Sequence, residues 1–151
     1  AYPNLDITGT FSKIYALAGL RIGYSLSNAE IADLLNRVRQ PFNTNMLAQE
    51  AALASLDDVD HINKSIAINA AGKTYLQNAL TEMGLNCLPS MGNFIAVSLG
   101  REGLPVYNAL LHEGVIVRPV ANYNMPQFLR ITIDTEAQNQ RLISSLTEVL
   151  K

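Results

Sequence analysis

Between residues 28 and 39 the apolar side chains Ile31, Leu34, Leu35 and Val38 recur every three or four positions, the period of a helix with one dry face. Ser27 or Asn28 can cap its first turn, and Pro41 ends it. The turn formers of "QPFNTN" come next, Asn45 caps a second helix over 46–56, and a longer helix covers 58–83 up to Gly84. Beyond Gly84 the pattern turns strand-like in "LNCLPS" and "NFIAVSL". It returns to helical spacing at Leu104, Val106, Tyr107, Leu110 and Leu111, and Gly114 stops that run. "VIVRPV" and "FLRITI" read as strands around the loop "ANYNMPQ", and Leu142, Ile143, Leu146 and Val149 stripe a last helix over 135–150.

The first 26 residues differ from the rest: "NLDITGTFS" and "LRIGYSLS" are short strands joined by a loop that carries Lys13. Two strands alone are marginal in water, so this segment reads as the trailing edge of a larger domain. Helices around a small sheet give an α+β (α/β) fold class for the remainder of the chain. The expected organisation is 1–40 as the remnant of a large domain and 41–151 as a small C-terminal domain.

Composition narrows the function. The chain is 48% hydrophobic and 16% charged with a formal net charge of −2, which leaves no electrostatic footprint for nucleic acid or an anionic membrane. No apolar run reaches the length of a membrane span, and Cys87, as the single cysteine, builds no disulfide framework. A cytoplasmic protein without polyanionic partners is expected, with Cys87 as a small core hydrophobe.

The chemistry gathers around two cations. Thr10 and Ser12 place hydroxyls beside Lys13, and Arg21 brings a permanently charged fork back from the next strand. That donor set suits a phosphate ester. Among Ile14, Tyr15, Ala16, Leu17 and Ala18 an amine would lose hydration, which disfavours its charged form and lets it condense with an aldehyde. Pyridoxal 5'-phosphate brings both groups. On spacing alone, a solvated loop lysine and a surface arginine explain the residues at least as well.

The motif goes further. "TFSKIYALAGLRIGY" resembles the lysine segment of the aspartate aminotransferase superfamily, the fold type I pyridoxal-phosphate enzymes. "VRQPFNTN", "PSMGNF", "GVIVRPVANYNMP" and "LRITI" then occur in the order and spacing of its histidinol-phosphate aminotransferase branch, so the resemblance spans 1–151. It implies that Lys13 is catalytic, bonding the cofactor's aldehyde and moving the proton at the substrate Cα. Thr10, Ser12 and Arg21 would hold the cofactor phosphate, Arg130 the substrate α-carboxylate, and Arg118 the phosphate end of a substrate. Asn43, and with it Asn93, would line the site, although a turn role explains either as well. No metal is implied.

The implied reaction is transamination between histidinol phosphate and 2-oxoglutarate in histidine biosynthesis, by a homodimer. Another amino acid or aromatic aminotransferase, or a phosphothreonine decarboxylase, is the rival within the class; a non-catalytic α+β module is the rival outside it. The family's large domain carries the aspartate that pairs with the pyridinium nitrogen and the aromatic that stacks on the ring. Lacking these, the 151 residues alone are expected to be inactive. Two departures stand out: Gly9 where arginine is common, which loosens a salt bridge, and Asp134 where glycine is usual, which places a carboxylate near Arg130. His61 and His112 read as surface or helix-end residues away from any motif, and Tyr15, Tyr24 and Tyr123 as packing or substrate contacts.

Overall fold

The computed structural model describes residues 2–151, which divide into two compact units between Ile66 and Ala67. In the first, β1 (Asp6–Thr10) and β2 (Gly23–Ser27) pair antiparallel, with Thr10 opposite Gly23 and Gly9 opposite Tyr24. Helix α1 (Ala29–Val38) starts where Asn28 Oδ1 accepts the Ile31 N–H at 2.9 Å, and α2 (Met46–Asp57) where Asn45 Oδ1 accepts the Ala48 N–H at 2.8 Å. Both are side-chain caps on otherwise unpaired helix donors. The division into units falls inside α3 (Val59–Glu82), so the expected boundary at 40/41 lies within the first unit.

The second unit is an antiparallel sheet in the order β3-β4-β6-β5, formed by β3 (Asn86–Cys87), β4 (Phe94–Ser98), β5 (Arg118–Val120) and β6 (Met125–Thr132). Its apolar face packs with the C-terminal part of α3, with α4 (Gly103–His112) and with α5 (Glu136–Leu150). Leu76, Leu80, Ile95, Val97, Leu110 and Leu129 are among its fully buried side chains. Each contributes about 1.5–3 kcal/mol of hydrophobic stabilisation. Period-2 alternation puts Ile95 and Val97 on that face, and Phe94, Ala96 and Ser98 on the other.

Two elements differ from the pattern. "LNCLPS" yields only a two-residue bridge, since Pro89 has no N–H to continue the ladder after the Leu88 N–H reaches the Ala96 carbonyl at 2.9 Å. In "ANYNMPQ" a 3-10 turn at Ala121–Tyr123 ends at Asn124, φ +60°, and β6 starts at Met125, which pairs with Val120 across a register irregularity. Closer packing at one point needs glycine: a Cβ on Gly72 would stand 2.7 Å from both Asn139 Nδ2 and Ile133 Cγ2. Asn139 is buried there and clamps the turn into α5, accepting the Asp134 N–H at 3.1 Å and donating to the Asp134 carbonyl at 2.8 Å.

Candidate functional site

In the first unit the loop after β1 is built on Phe11, its one buried side chain. The Phe11 N–H donates to the Ile22 carbonyl at 3.3 Å and its carbonyl accepts from Leu17 at 3.0 Å, so the loop closes on its own stem. Tyr15 and Tyr24 flank the Phe11 ring at 4.8 and 5.8 Å. Tyr24 also lies across Gly9, where a Cβ would meet its ring at 2.4 Å. The glycine at that position is thus matched to the tyrosine opposite it. Between these supports, Lys13 accepts the Ala16 N–H on its carbonyl at 2.9 Å, and Ala16 takes φ +58°. A Cβ-bearing residue is rarely found there.

Thr10 Oγ1 accepts the Ser12 N–H at 3.1 Å and donates to Ser12 Oγ at 2.9 Å, so the two hydroxyls stand together beside Lys13. Arg21, φ +53°, donates from Nη1 to the Ala18 carbonyl at 2.8 Å. Lys13 itself is exposed, so the desolvation expected from its apolar neighbours is not supplied by this unit, where Ile14, Tyr15 and Leu17 are half-buried and Ala16 and Ala18 are exposed. Among the described residues the ion pairs are Arg37–Asp33 and Lys151–Glu148, and neither Lys13 nor Arg21 faces a carboxylate. Two hydroxyls, an amine and a guanidinium without acidic partners fit a ligand that carries phosphate and aldehyde.

His61, read from sequence as remote from any motif, is in fact against the lysine loop. Its Nε2 lies 2.9 Å from the carbonyl oxygen of Ile14, across 47 positions, while its own N–H donates to Asp58 Oδ1 at 3.0 Å. Helix periodicity carries no signal of such a tertiary bond. His112 Nδ1 lies 2.8 Å from the Asn108 carbonyl at a helix end. Asn43 Oδ1 accepts from Arg39 Nη1 at 3.3 Å, Arg39 Nε donates to Asn36 Oδ1 at 2.7 Å, and both Asn43 and Arg39 line a cavity of about 580 Å³ with Thr44 and Gln49. Phe42 beside them is 97% exposed at φ +55°.

In the second unit the register places Arg118 of β5 directly opposite Arg130 of β6. Like charges opposed across two strands repel, and among the described residues no carboxylate pairs with either. Arg130 Nε is buried without a hydrogen-bond partner. The carboxylate that Asp134 is expected to bring near Arg130 forms no ion pair with it among the described residues; Asp134 Oδ1 accepts the Thr135 N–H at 2.8 Å and holds the start of α5. Asn93 is exposed and gives its carbonyl to the Ile133 N–H at 2.9 Å. Cys87 is half-buried against the core, and burial pushes its thiol pKa up.

The lysine loop and the arginine pair lie in different units. The chain is 57% identical over 150 residues to a protein of Pseudomonas fluorescens named histidinol-phosphate aminotransferase 2, covering 99% of this chain and 40% of that protein. It thus spans about 40% of the length of the curated relatives it matches. Histidinol-phosphate aminotransferase from Sinorhizobium meliloti, solved with pyridoxal-5'-phosphate, superposes with a TM-score of 0.88 at 31% identity, over 98% of this chain and 41% of that one. L-threonine-O-3-phosphate decarboxylase from Porphyromonas gingivalis does so with a TM-score of 0.82 at 27% identity, over 99% and 48%. The pattern of aminotransferase class I and II matches residues 1–146, from ahead of the Lys13 loop through both arginine strands, and the chain belongs to that family.

Proposed function

We propose that this chain supplies the lysine segment and the anion-gripping sheet of a longer pyridoxal-phosphate aminotransferase that acts on histidinol phosphate and 2-oxoglutarate in histidine biosynthesis. In this reading 1–40 continue a large cofactor-binding domain and 41–151 form the small one. The chemistry supplied by pyridoxal phosphate when bound is reversible condensation with amines and withdrawal of electrons from the substrate Cα. Lys13 Nζ anchors it, and then accepts and returns the proton at that carbon. Thr10, Ser12 and Arg21 hold the phosphate.

The observation that carries the substrate assignment is the opposed pair Arg118 and Arg130, without acidic partners and with one buried unpartnered Nε. An anion between them removes the repulsion, and a bidentate grip by Arg130 fixes a carboxylate in one orientation. A phosphorylated donor and a dicarboxylate acceptor each bring the charge that two guanidinia need. Arg118 takes the phosphate end, and Asn43 lines the donor's approach. The threonine-phosphate decarboxylase likeness favours a second reading, in which the same pair grips a phosphorylated amino acid.

The enzyme is read as a cytoplasmic homodimer; among the described residues no helix is long and apolar enough to cross a membrane. The 151 residues alone are read as inactive. In the full-length enzyme that carries this sequence, borohydride reduction followed by peptide mass spectrometry places the cofactor on Lys13, and Lys13→Ala abolishes both the adduct and turnover. Arg118→Ala lowers kcat/KM for histidinol phosphate about a hundredfold, and far less for unphosphorylated donors. Labelling elsewhere, or equal losses for both donors, refutes the assignment.

A further inference from the structure

The guanidinium carbon of Arg130 stands 5.0 Å above the ring centre of Phe94, on the same side chain whose Nε is buried and unpartnered. The register explains how they meet. Arg130 pairs with Ala96, and Phe94 with Thr132, so ring and guanidinium are diagonal neighbours on the face of the sheet away from the core. Ala96 presents only a methyl beside the arginine, which leaves the stem free to lean over the ring. Arg118 flanks it on the opposite strand. The guanidinium is therefore repelled from one side and attracted from the other by the ring quadrupole. Set over an aromatic face, it keeps N–H edges free for a carboxylate.

The backbone that carries the ring is itself held. Ser90 Oγ donates to the Phe94 carbonyl and accepts the Gly92 N–H at 3.2 Å. From α3, Lys73 Nζ donates to the Ser90 carbonyl at 3.2 Å, and Asn69 Nδ2 to the Gly92 carbonyl at 3.4 Å. Side chains one helical turn apart thus tie down the loop that leads into Phe94.

We propose that Phe94 is a positioning residue for the anion grip: its ring sets the plane of the Arg130 guanidinium, and Ala96 keeps the space that lets the two stack. The inference rests on the carboxylate role proposed for Arg130. Phe94 is 39% exposed, so Leu in its place leaves the core intact.

Two measurements test it. In ¹⁵N–¹H spectra of the 151-residue chain, the Arg130 Nε–H resonance carries a ring-current shift that Phe94→Leu removes and Phe94→Tyr keeps. In the full-length holoenzyme, calorimetric titration with succinate shows affinity reduced about 3- to 10-fold by Phe94→Leu and restored by Phe94→Tyr, the range a cation–π contact commands. Ala96→Val, which crowds the stem without altering the ring, reproduces the loss. An unmoved resonance, or wild-type succinate affinity in Phe94→Leu, overturns the proposal. Arg130→Gln separates the two levels of inference. If it leaves succinate binding intact, the carboxylate reading is wrong; if it weakens binding while Phe94→Leu does not, only the role of Phe94 falls.

Discussion

Helix α1 and helix α4 carry apolar stripes of the same period and the same length, yet one is dry and the other wet. Val106 and Leu110 of α4 are buried in a core of thirteen side chains, whereas α1 buries none of its residues and leaves Val38 79% exposed. Across the whole first unit only Phe11, Ala48 and Ala52 are buried hydrophobics among the described residues. An amphipathic pattern fixes a helix's shape and its dry face, but burial requires a partner surface, which the second unit supplies from its own sheet. Stability should therefore concentrate in 67–151, while the first unit holds the lysine loop through local bonds.

The largest effect that can break this contrast is a cavity. Leu110→Ala should lower unfolding free energy by about 2–5 kcal/mol, while Leu34→Ala on α1 should cost about 0.5 kcal/mol or less. Urea melts of the two variants check it; equal losses would mean that α1 packs as α4 does. Next come the glycines. Gly72→Ala drives a Cβ against Asn139 and Ile133 and should cost about 1–3 kcal/mol, but Gly19→Ala meets nothing within 4 Å and should be neutral in the same melts.

Smaller still is the strain in the lysine loop. Ala16→Gly removes the cost of φ +58° and should stabilise by about 1 kcal/mol, whereas His61→Ala frees the Ile14 carbonyl and should speed amide exchange at Ala16 and Leu17. Exchange rates unchanged by His61→Ala would show that Phe11 alone organises the loop.

The elements of both units were legible because their signals are local. Asn28 and Asn45 cap, Gly84 and Gly114 stop, and alternating positions in "FLRITI" leave Arg130 facing away from Leu129 and Ile131. The motif order likewise gave the family, which the match over 1–146 shows. What stayed hidden depends on tertiary approach. No periodicity announces that His61 reaches Ile14, that Tyr24 covers Gly9, or that Arg118 falls in register with Arg130. The covering expected for Lys13 is likewise not found within this unit: apolar neighbours in sequence bury an amine only where the fold lays them over it, and here Phe11 takes the interior while Lys13 is exposed.

Cys87 offers the finest probe of the better-packed unit. Partial burial beside the core disfavours its thiolate, raising the pKa above the ordinary 9.0, with desolvation as the cause. In the unfolded chain the thiol ionises at its ordinary value, so between that value and the higher native one the unfolded state carries the fewer protons. The stabilisation is complete below the unfolded pKa and is lost as pH rises through the native one. Urea melts of the native chain at about pH 7.5 and about pH 9.5 should therefore show a small alkaline loss that Cys87→Ala abolishes, and disulfide-reagent labelling at about pH 8 should run slower than for a free thiol. Labelling at the free-thiol rate would place the sheet edge at β3 with the first unit's open surfaces and move the boundary of the tight core inward to β4.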